Sequence, residues 1–83
     1  MKYNIIILKR ARKFIEKQAH QIQVKILNEI SKLPAGDTKK LKGYDRVYRL
    51  RVGDFRIIYN IDYDVLTITV IDIGNRGQVY NKY

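Results

Sequence analysis

The stretch Val47-Tyr48-Arg49-Leu50-Arg51-Val52-Gly53-Asp54-Phe55-Arg56-Ile57-Ile58-Tyr59 decides how the rest of this chain folds. Two runs rich in β-branched and aromatic residues flank Gly-Asp, a pair suited to a two-residue turn, so the stretch reads as a β-hairpin. With Gly53 and Asp54 as the loop, Val52 faces Phe55, Arg51 faces Arg56, Leu50 faces Ile57 and Tyr48 faces Tyr59. Side chains alternate along a strand, so Tyr48, Leu50, Val52, Phe55, Ile57 and Tyr59 share an apolar face. Arg49, Arg51 and Arg56 share the other.

Two arginines directly opposite across an antiparallel pair repel, and here a third lies two residues away. A single strand arginine needs no explanation beyond a solvated outer face. Three on one small patch call for an anion, and the guanidinium fork is suited to phosphate.

Working outward, Tyr63-Asp64 reads as a second tight turn, followed by a strand from Val65 to Ile73. That loop pairs Ile61 with Leu66, Tyr59 with Ile68 and Ile57 with Val70, so the apolar faces match without a slip. Ile58, Thr67, Thr69 and Ile71 then flank Arg56 on the arginine face. Upstream, Tyr3 to Leu8 is a continuous apolar run centred on Ile5-Ile6-Ile7, which predicts a strand buried on both faces. From Lys9 to Leu33, Ala11, Phe14/Ile15, Ala19, Ile22, Ile26/Leu27, Ile30 and Leu33 recur at helical spacing. One long helix would overhang so small a sheet, so a helical hairpin bent near Gln18-Ala19-His20-Gln21 is favoured over a straight rod. Pro34-Ala35-Gly36-Asp37 stops the helical region. Thr38 to Tyr44 is a basic connector carrying Lys39, Lys40 and Lys42: a solvated loop or a guide for a polyanion. The order predicts an α+β fold: an N-terminal strand, two helices, then a three-strand antiparallel meander. The helices pack on the Tyr48/Leu50/Ile57/Tyr59 face and leave the arginine face open.

With 83 residues the chain is a single domain, 1–83. It has no cysteine, which removes disulfides, thiolate metal sites and a Cys nucleophile. No apolar run approaches a membrane span and the N-terminus is too short for a signal peptide, so a cytoplasmic location is expected. The net charge of +9 favours a polyanionic partner. Its distribution says more. Residues 1–43 carry eleven Lys/Arg against three acids, while residues 44–83 carry six against five. The lysines form a general electrostatic footprint; the strand arginines look like a site.

Familiar catalytic motifs are absent. The single histidine, His20, falls at the helical bend, away from the arginines, and no HExxH, CxxC, GxxxxGK[ST] or GxSxG occurs. Asp37, Asp54 and Asp64 occupy turn positions, which explains them. Asp62, Asp64 and Asp72 do not converge in the proposed register, so neither a metal nor another cofactor is expected. Phosphate chemistry that needs no metal remains. An RNA 2′-hydroxyl can attack its own 3′-phosphate if the protein aligns the backbone and stabilises the developing charge. A tyrosine or arginine can stack on a base.

Leu41-Lys42-Gly43, Tyr48-Arg49-Leu50-Arg51-Val52-Gly53-Asp54-Phe55-Arg56-Ile57-Ile58-Tyr59 and Ile73-Gly74-Asn75-Arg76-Gly77-Gln78-Val79-Tyr80 together resemble the RelE family of the RelE/ParE toxin superfamily. The resemblance covers nearly the whole chain and implies a RelE-like toxin of a type II toxin–antitoxin system. Such a toxin cleaves mRNA in the ribosomal A site and so inhibits translation. A cognate antitoxin neutralises it, RelB-like and either acidic or bearing a neutralising helix, and the complex binds operator DNA through that antitoxin. By position, Arg49, Arg51, Arg56, Arg76 and Tyr80 match the family's catalytic set. Arg49 and Arg56 would bind phosphate, Arg76 would protonate the leaving 5′-oxygen, and Tyr80 would stack on the base. Lys39, Lys40, Lys42 and Arg46 are the expected further RNA contacts. One departure matters: at position 51 the best-known members carry a lysine proposed as general base, and arginine does not deprotonate in proteins. Arg51 is therefore expected to stabilise charge, leaving the proton to a ribosomal group, to water or to no discrete base. A ParE-like toxin that binds and inhibits DNA gyrase is the alternative.

Overall fold

A computed structural model describes residues 3–75 of the chain. Its elements are β1 (Asn4–Ile7), α1 (Lys9–Glu16), α2 (His20–Ser31), β2 (Thr38–Lys40), β3 (Val47–Val52), β4 (Phe55–Asp62) and β5 (Thr67–Asn75). The strands form one mixed sheet in the order β1-β5-β4-β3-β2, with β1 parallel to β5 and the other neighbours antiparallel. This is the expected α+β arrangement with one added edge strand.

The helical region does break in two. α1 ends at Glu16, and Ala19 takes an extended conformation (φ −59, ψ 151) before α2 starts at His20. The Gln23 side chain ties the corner together by donating to the Gln18 carbonyl (2.9 Å) and the Glu16 carbonyl (3.3 Å), two acceptors that α1 leaves without helical partners. Ala11 and Ile15 of α1, Ile26 and Ile30 of α2, and Leu33 pack with Leu50, Val52, Ile57, Tyr59, Ile61, Ile68, Val70 and Ile73 of the sheet. Phe14 and Phe55 close this core edge to face, with ring centroids 5.8 Å apart.

The β3–β4 hairpin has the register read from its sequence: Val52↔Phe55, Arg51↔Arg56, Leu50↔Ile57 and Tyr48↔Tyr59. Gly53 has φ 57, as a glycine in the first loop position of a two-residue hairpin turn should. Four other expectations are corrected. First, β1 is an edge strand rather than a strand buried on both faces, and Ile6 is 49% exposed. Its continuous apolarity reflects β-propensity more than burial.

Second, Thr38–Lys40 is a strand and not a connector loop. It pairs with β3 through Thr38↔Leu50, Lys39↔Arg49 and Lys40↔Tyr48. Third, the β4–β5 register lies two residues from the expected one, with Ile61↔Ile68 and Asp62↔Thr67. The turn holds Tyr63 to Leu66 because the Asp62 carboxylate accepts from the backbone N–H of Asp64 (3.0 Å) and Val65 (3.4 Å), while Leu66 turns the chain at φ 48. A two-residue shift keeps Thr67 to Val70 on their expected faces.

A bulge follows. Tyr59 pairs with Val70 but Ile58 with Asp72, leaving Ile71 without a β4 partner, so it does not flank Arg56 as expected. Unbroken alternation would send Asp72 toward the helices; the bulge brings Ile73 opposite Ile57 instead. Asp72 lies beyond the end of β1, where Arg10 of α1 approaches its carboxylate at 3.5 Å.

The fourth correction concerns the face that the helices leave. Its centre is closed: Ile58 is fully buried and Arg56 only 6% exposed.

Candidate functional site

Pairing sets the composition of this second face. Lys39 lies opposite Arg49, which lies opposite Ile58, and one step along Arg51 lies opposite Arg56. The predicted RNA contacts therefore divide. Lys39 joins the arginines, Lys40 pairs with Tyr48 and so belongs to the other face, and Lys42 and Arg46 sit exposed in the β2–β3 loop. Arg46 adopts φ 60, and its carbonyl accepts from the Ile61 N–H (3.1 Å) and the Asn60 side chain (3.2 Å), which anchors the loop's end to β4.

Arg51 and Arg56 occupy a non-hydrogen-bonded position of the hairpin, where facing side chains lie closest. Consistently, the Arg51 N–H points away from β4 and donates to the Asp37 carbonyl at 2.9 Å. Their repulsion is relieved inside the molecule by two different routes. The Arg56 guanidinium folds along the hairpin end, where Nη1 donates to the carbonyls of Gly53 (3.1 Å) and Phe55 (3.0 Å). Its charge is thus held against the turn. Arg51 instead reaches the residue just before β2: its Nε donates to Asp37 Oδ2 at 2.8 Å, with both side chains about half exposed.

Asp37 is the member of this cluster that sequence reasoning missed, because a turn position after Pro34-Ala35-Gly36 explained it locally. Nothing in the sequence brings it to an arginine fourteen positions away; the β2–β3 pairing does. Gly36 makes the approach feasible. It has φ 110, which side-chain-bearing residues rarely adopt, and a Cβ there would sit 3.1 Å from Leu50 Cδ1, so a larger residue would be strained just before Asp37.

Arg49 lies two residues from Arg51 on the same face of β3, opposite Lys39. Its side chain is only 15% exposed, and Nη1 stands 4.0 Å from Asp37 Oδ1, too far for a hydrogen bond. That buried nitrogen has no hydrogen-bond partner among the described residues. A buried donor left unused costs free energy and calls for an explanation. Arg49 and Arg51 therefore form a guanidinium pair in which Asp37 bonds one member, while Nη1 of the other has no hydrogen-bond partner among the described residues.

The tyrosines stand apart from this cluster. Tyr48 stacks on Tyr59 with centroids 5.6 Å apart, and its hydroxyl meets that of Tyr63 at 3.0 Å. Burial pushes the Tyr59 phenol above its ordinary value of 10.0, with the nearby Thr38 hydroxyl opposing although not in hydrogen-bonding geometry. The hydrogen bond with Tyr48 pushes Tyr63 up as well. Both stay protonated at neutral pH and cannot accept a proton there. Among the described residues no three His, Asp or Glu side chains gather as metal ligands, and no helix is long and apolar enough to cross a membrane. Arg76 and Tyr80, two of the expected catalytic residues, lie outside the described residues.

The chain has clear relatives. The family model of the ParE toxin of the type II toxin–antitoxin system parDE matches residues 5–80. A candidate toxin RelE1 of Methanocaldococcus jannaschii is 35% identical in an alignment covering 99% of each chain. Among solved structures, RelE of the archaeal RelE–RelB complex from Pyrococcus horikoshii superposes with a TM-score of 0.78 at 25% identity, covering 94% of this chain and 99% of that one. The isolated RelE toxin of E. coli shares the fold, with a TM-score of 0.73 at 19% identity over 96% of this chain and 93% of that one. Since the matching family model spans almost the whole chain and the fold is that of the RelE structures, the chain belongs to the ParE toxin family of type II toxin–antitoxin systems, within the RelE/ParE superfamily, and has a RelE-like fold.

Proposed function

We propose that this toxin is a ribosome-dependent endoribonuclease that cuts mRNA in the ribosomal A site. The observation that carries this reading is the paired Arg49 and Arg51 beside Lys39, with a buried Arg49 donor that no described group uses. A phosphodiester supplies the acceptors such a pair needs, and the kinship with RelE toxins points to RNA as its source. In the reaction the 2′-oxygen attacks the adjacent phosphorus, the bond to the 5′-oxygen breaks, and a 2′,3′-cyclic phosphate and a 5′-hydroxyl result. Arg49 and Arg51 hold the non-bridging oxygens and stabilise the charge that grows on them. Arg56, locked against the turn carbonyls, adds a fixed positive charge behind that pair. The 2′-hydroxyl proton leaves to water or to a ribosomal group, because a guanidinium cannot take it. Arg76 is assigned the proton for the leaving 5′-oxygen and Tyr80 the stacking on the base. Lys39, Lys40, Lys42 and Arg46 add contacts to mRNA or ribosomal RNA. A cognate antitoxin, RelB-like and carrying an acidic segment or a neutralising helix, covers the site and links the complex to operator DNA. The site works in the cytoplasm, where ribosomes are.

The test is inducible expression followed by mapping of mRNA 5′-ends during growth arrest. Codon-phased cuts within translated messages are expected. The Arg49→Ala/Arg51→Ala double variant should reduce them about a hundredfold or more, as for loss of preorganised charge stabilisation elsewhere. Intact mRNA accompanied by DNA damage would overturn the reading in favour of gyrase inhibition, and unimpaired growth would overturn both.

A further inference from the structure

We propose that Asp37 is an internal stand-in for the RNA phosphate: it occupies one lobe of the Arg49/Arg51 site in the free toxin, orients Arg51, and is displaced when a phosphodiester binds. The inference deepens the function proposed above and rests on it only for the source of the phosphate.

Three observations point to Asp37. It grips Arg51 twice, through its backbone carbonyl to the Arg51 N–H (2.9 Å) and through Oδ2 to Arg51 Nε (2.8 Å). Its other carboxylate oxygen lies 4.0 Å from Arg49 Nη1, a buried donor with no hydrogen-bond partner among the described residues. And the chain before it is built for close approach, through a left-handed Gly36 with Leu50 against it. A carboxylate has two oxygens in one plane and, tethered to β2, satisfies one guanidinium. A phosphate presents its oxygens tetrahedrally and free of that tether, so it can accept from Arg51 Nε and from Arg49 Nη1 together. The exchange gives up one exposed ion pair, of the kind that contributes little in water, and fills a buried donor, which contributes more. Asp37 therefore holds Arg51 ready for the phosphate. It also discriminates between ligands, because an anion that can serve only one guanidinium gains nothing over the carboxylate already present.

The experiment follows the arginine Nε–H resonances of the ¹⁵N-labelled full chain during titration with inorganic phosphate, and separately with a short, uncleavable 2′-O-methyl RNA. Both are done near physiological ionic strength, so that distant charges are screened. Asp37→Asn and Asp37→Ala should tighten both ligands about three- to tenfold, the scale set by the loss of one exposed competing pair. In the wild type the Arg51 Nε–H signal should move on titration to where the Asp37→Ala signal ends when saturated. Asp37→Glu, which restores the competing charge, should stay within about twofold of wild type. Asp54→Asn removes the same charge from the adjacent turn and serves as the control. Equal tightening by Asp54→Asn and Asp37→Asn, unchanged or weaker binding in Asp37→Asn, or no phosphate-dependent shift in any variant would each overturn the proposal. Tightening for phosphate but not for RNA would overturn the RNA part of it. The ribosomal assay is independent: mRNA left intact by a toxin whose Asp37 variants bind phosphate more tightly sinks the proposed function and leaves the displacement standing.

Discussion

On the helix-packed face of the β3–β4 hairpin, Leu50, Ile57 and Tyr59 are fully buried among apolar neighbours; on the opposite face, one step along from the Leu50–Ile57 pair, Arg56 is nearly as buried but among polar partners. The first face is held by burial that has no required direction, so any side chains of the right volume would serve. The second is held by bonds that do have direction. Arg56 is tied to the Gly53 and Phe55 carbonyls, Arg51 to Asp37, and Arg49 to nothing at hydrogen-bonding distance among the described residues. The comparison assigns the faces different work. One gives the hairpin its stability, and the other uses that stability to hold guanidinium groups close together.

If so, substitutions on the two faces should separate cleanly, and the largest effect belongs to the apolar one. Ile57→Ala, at a fully buried position in the middle of the core, should lower the free energy of unfolding by about 3–4 kcal/mol. Urea denaturation measures this, with an unchanged slope expected for a folded state of the same extent. Phosphate affinity measured below the transition should not change. A loss under about 1 kcal/mol would mean that the site collapses around the missing atoms and that the apolar face is looser than its burial indicates.

A smaller effect tests the middle of the comparison, where an arginine belongs to both stability and charge. Arg56→Ala removes two donations to turn carbonyls from a buried side chain and should cost about 2 kcal/mol. A loss of toxicity in Arg56→Ala would thus mix folding with chemistry. Arg56→Lys keeps the charge and one donor, and should recover part of the stability without the fork geometry. An Arg56→Ala chain as stable as wild type would show that the turn stands without its guanidinium, and would move Arg56 from the structural class to the purely electrostatic one.

The same division explains what was legible in the sequence. The first hairpin's register, the break of the helical region near Ala19 and the apolar face could all be read, because each depends on local pattern: Gly-Asp between β-rich runs, and helical spacing interrupted at a corner. Failures came where a distant partner decides. Thr38-Lys39-Lys40 has no strand signal of its own and becomes β2 only because β3 offers an edge. Asp62 capping its own turn, with Leu66 in a left-handed conformation, lengthens the loop beyond Tyr63-Asp64. The bulge at Ile71 leaves no mark in periodicity. On the site itself, the clustering of Arg49, Arg51 and Arg56 was visible as alternation, and so was the need for an anion. That the chain supplies one itself, through Asp37, was not visible, because nothing in fourteen residues of separation encodes a contact made by strand pairing.

The smallest expected effect is also the sharpest for this comparison. Arg51 faces Arg56 directly and carries the same charge, yet its side chain is half exposed and its partner Asp37 equally so. An ion pair in that setting gains little, because water screens the attraction and both side chains lose freedom in forming it. Removing Arg51 also relieves its repulsion with Arg56, which offsets part of the loss. Arg51→Ala should therefore change the free energy of unfolding by no more than about 0.5 kcal/mol, and less still at 0.5 M salt, where the Debye length shrinks to roughly half its physiological value. Phosphate affinity in the same variant should fall severalfold. Two arginines opposite one another in one hairpin would then differ in kind, one a part of the fold and the other a part of the site. Should Arg51→Ala prove as destabilising as Arg56→Ala, the Asp37 pair would be holding β2 onto the sheet, and Asp37 would then be a structural tether that a phosphate could not displace without loosening the edge strand.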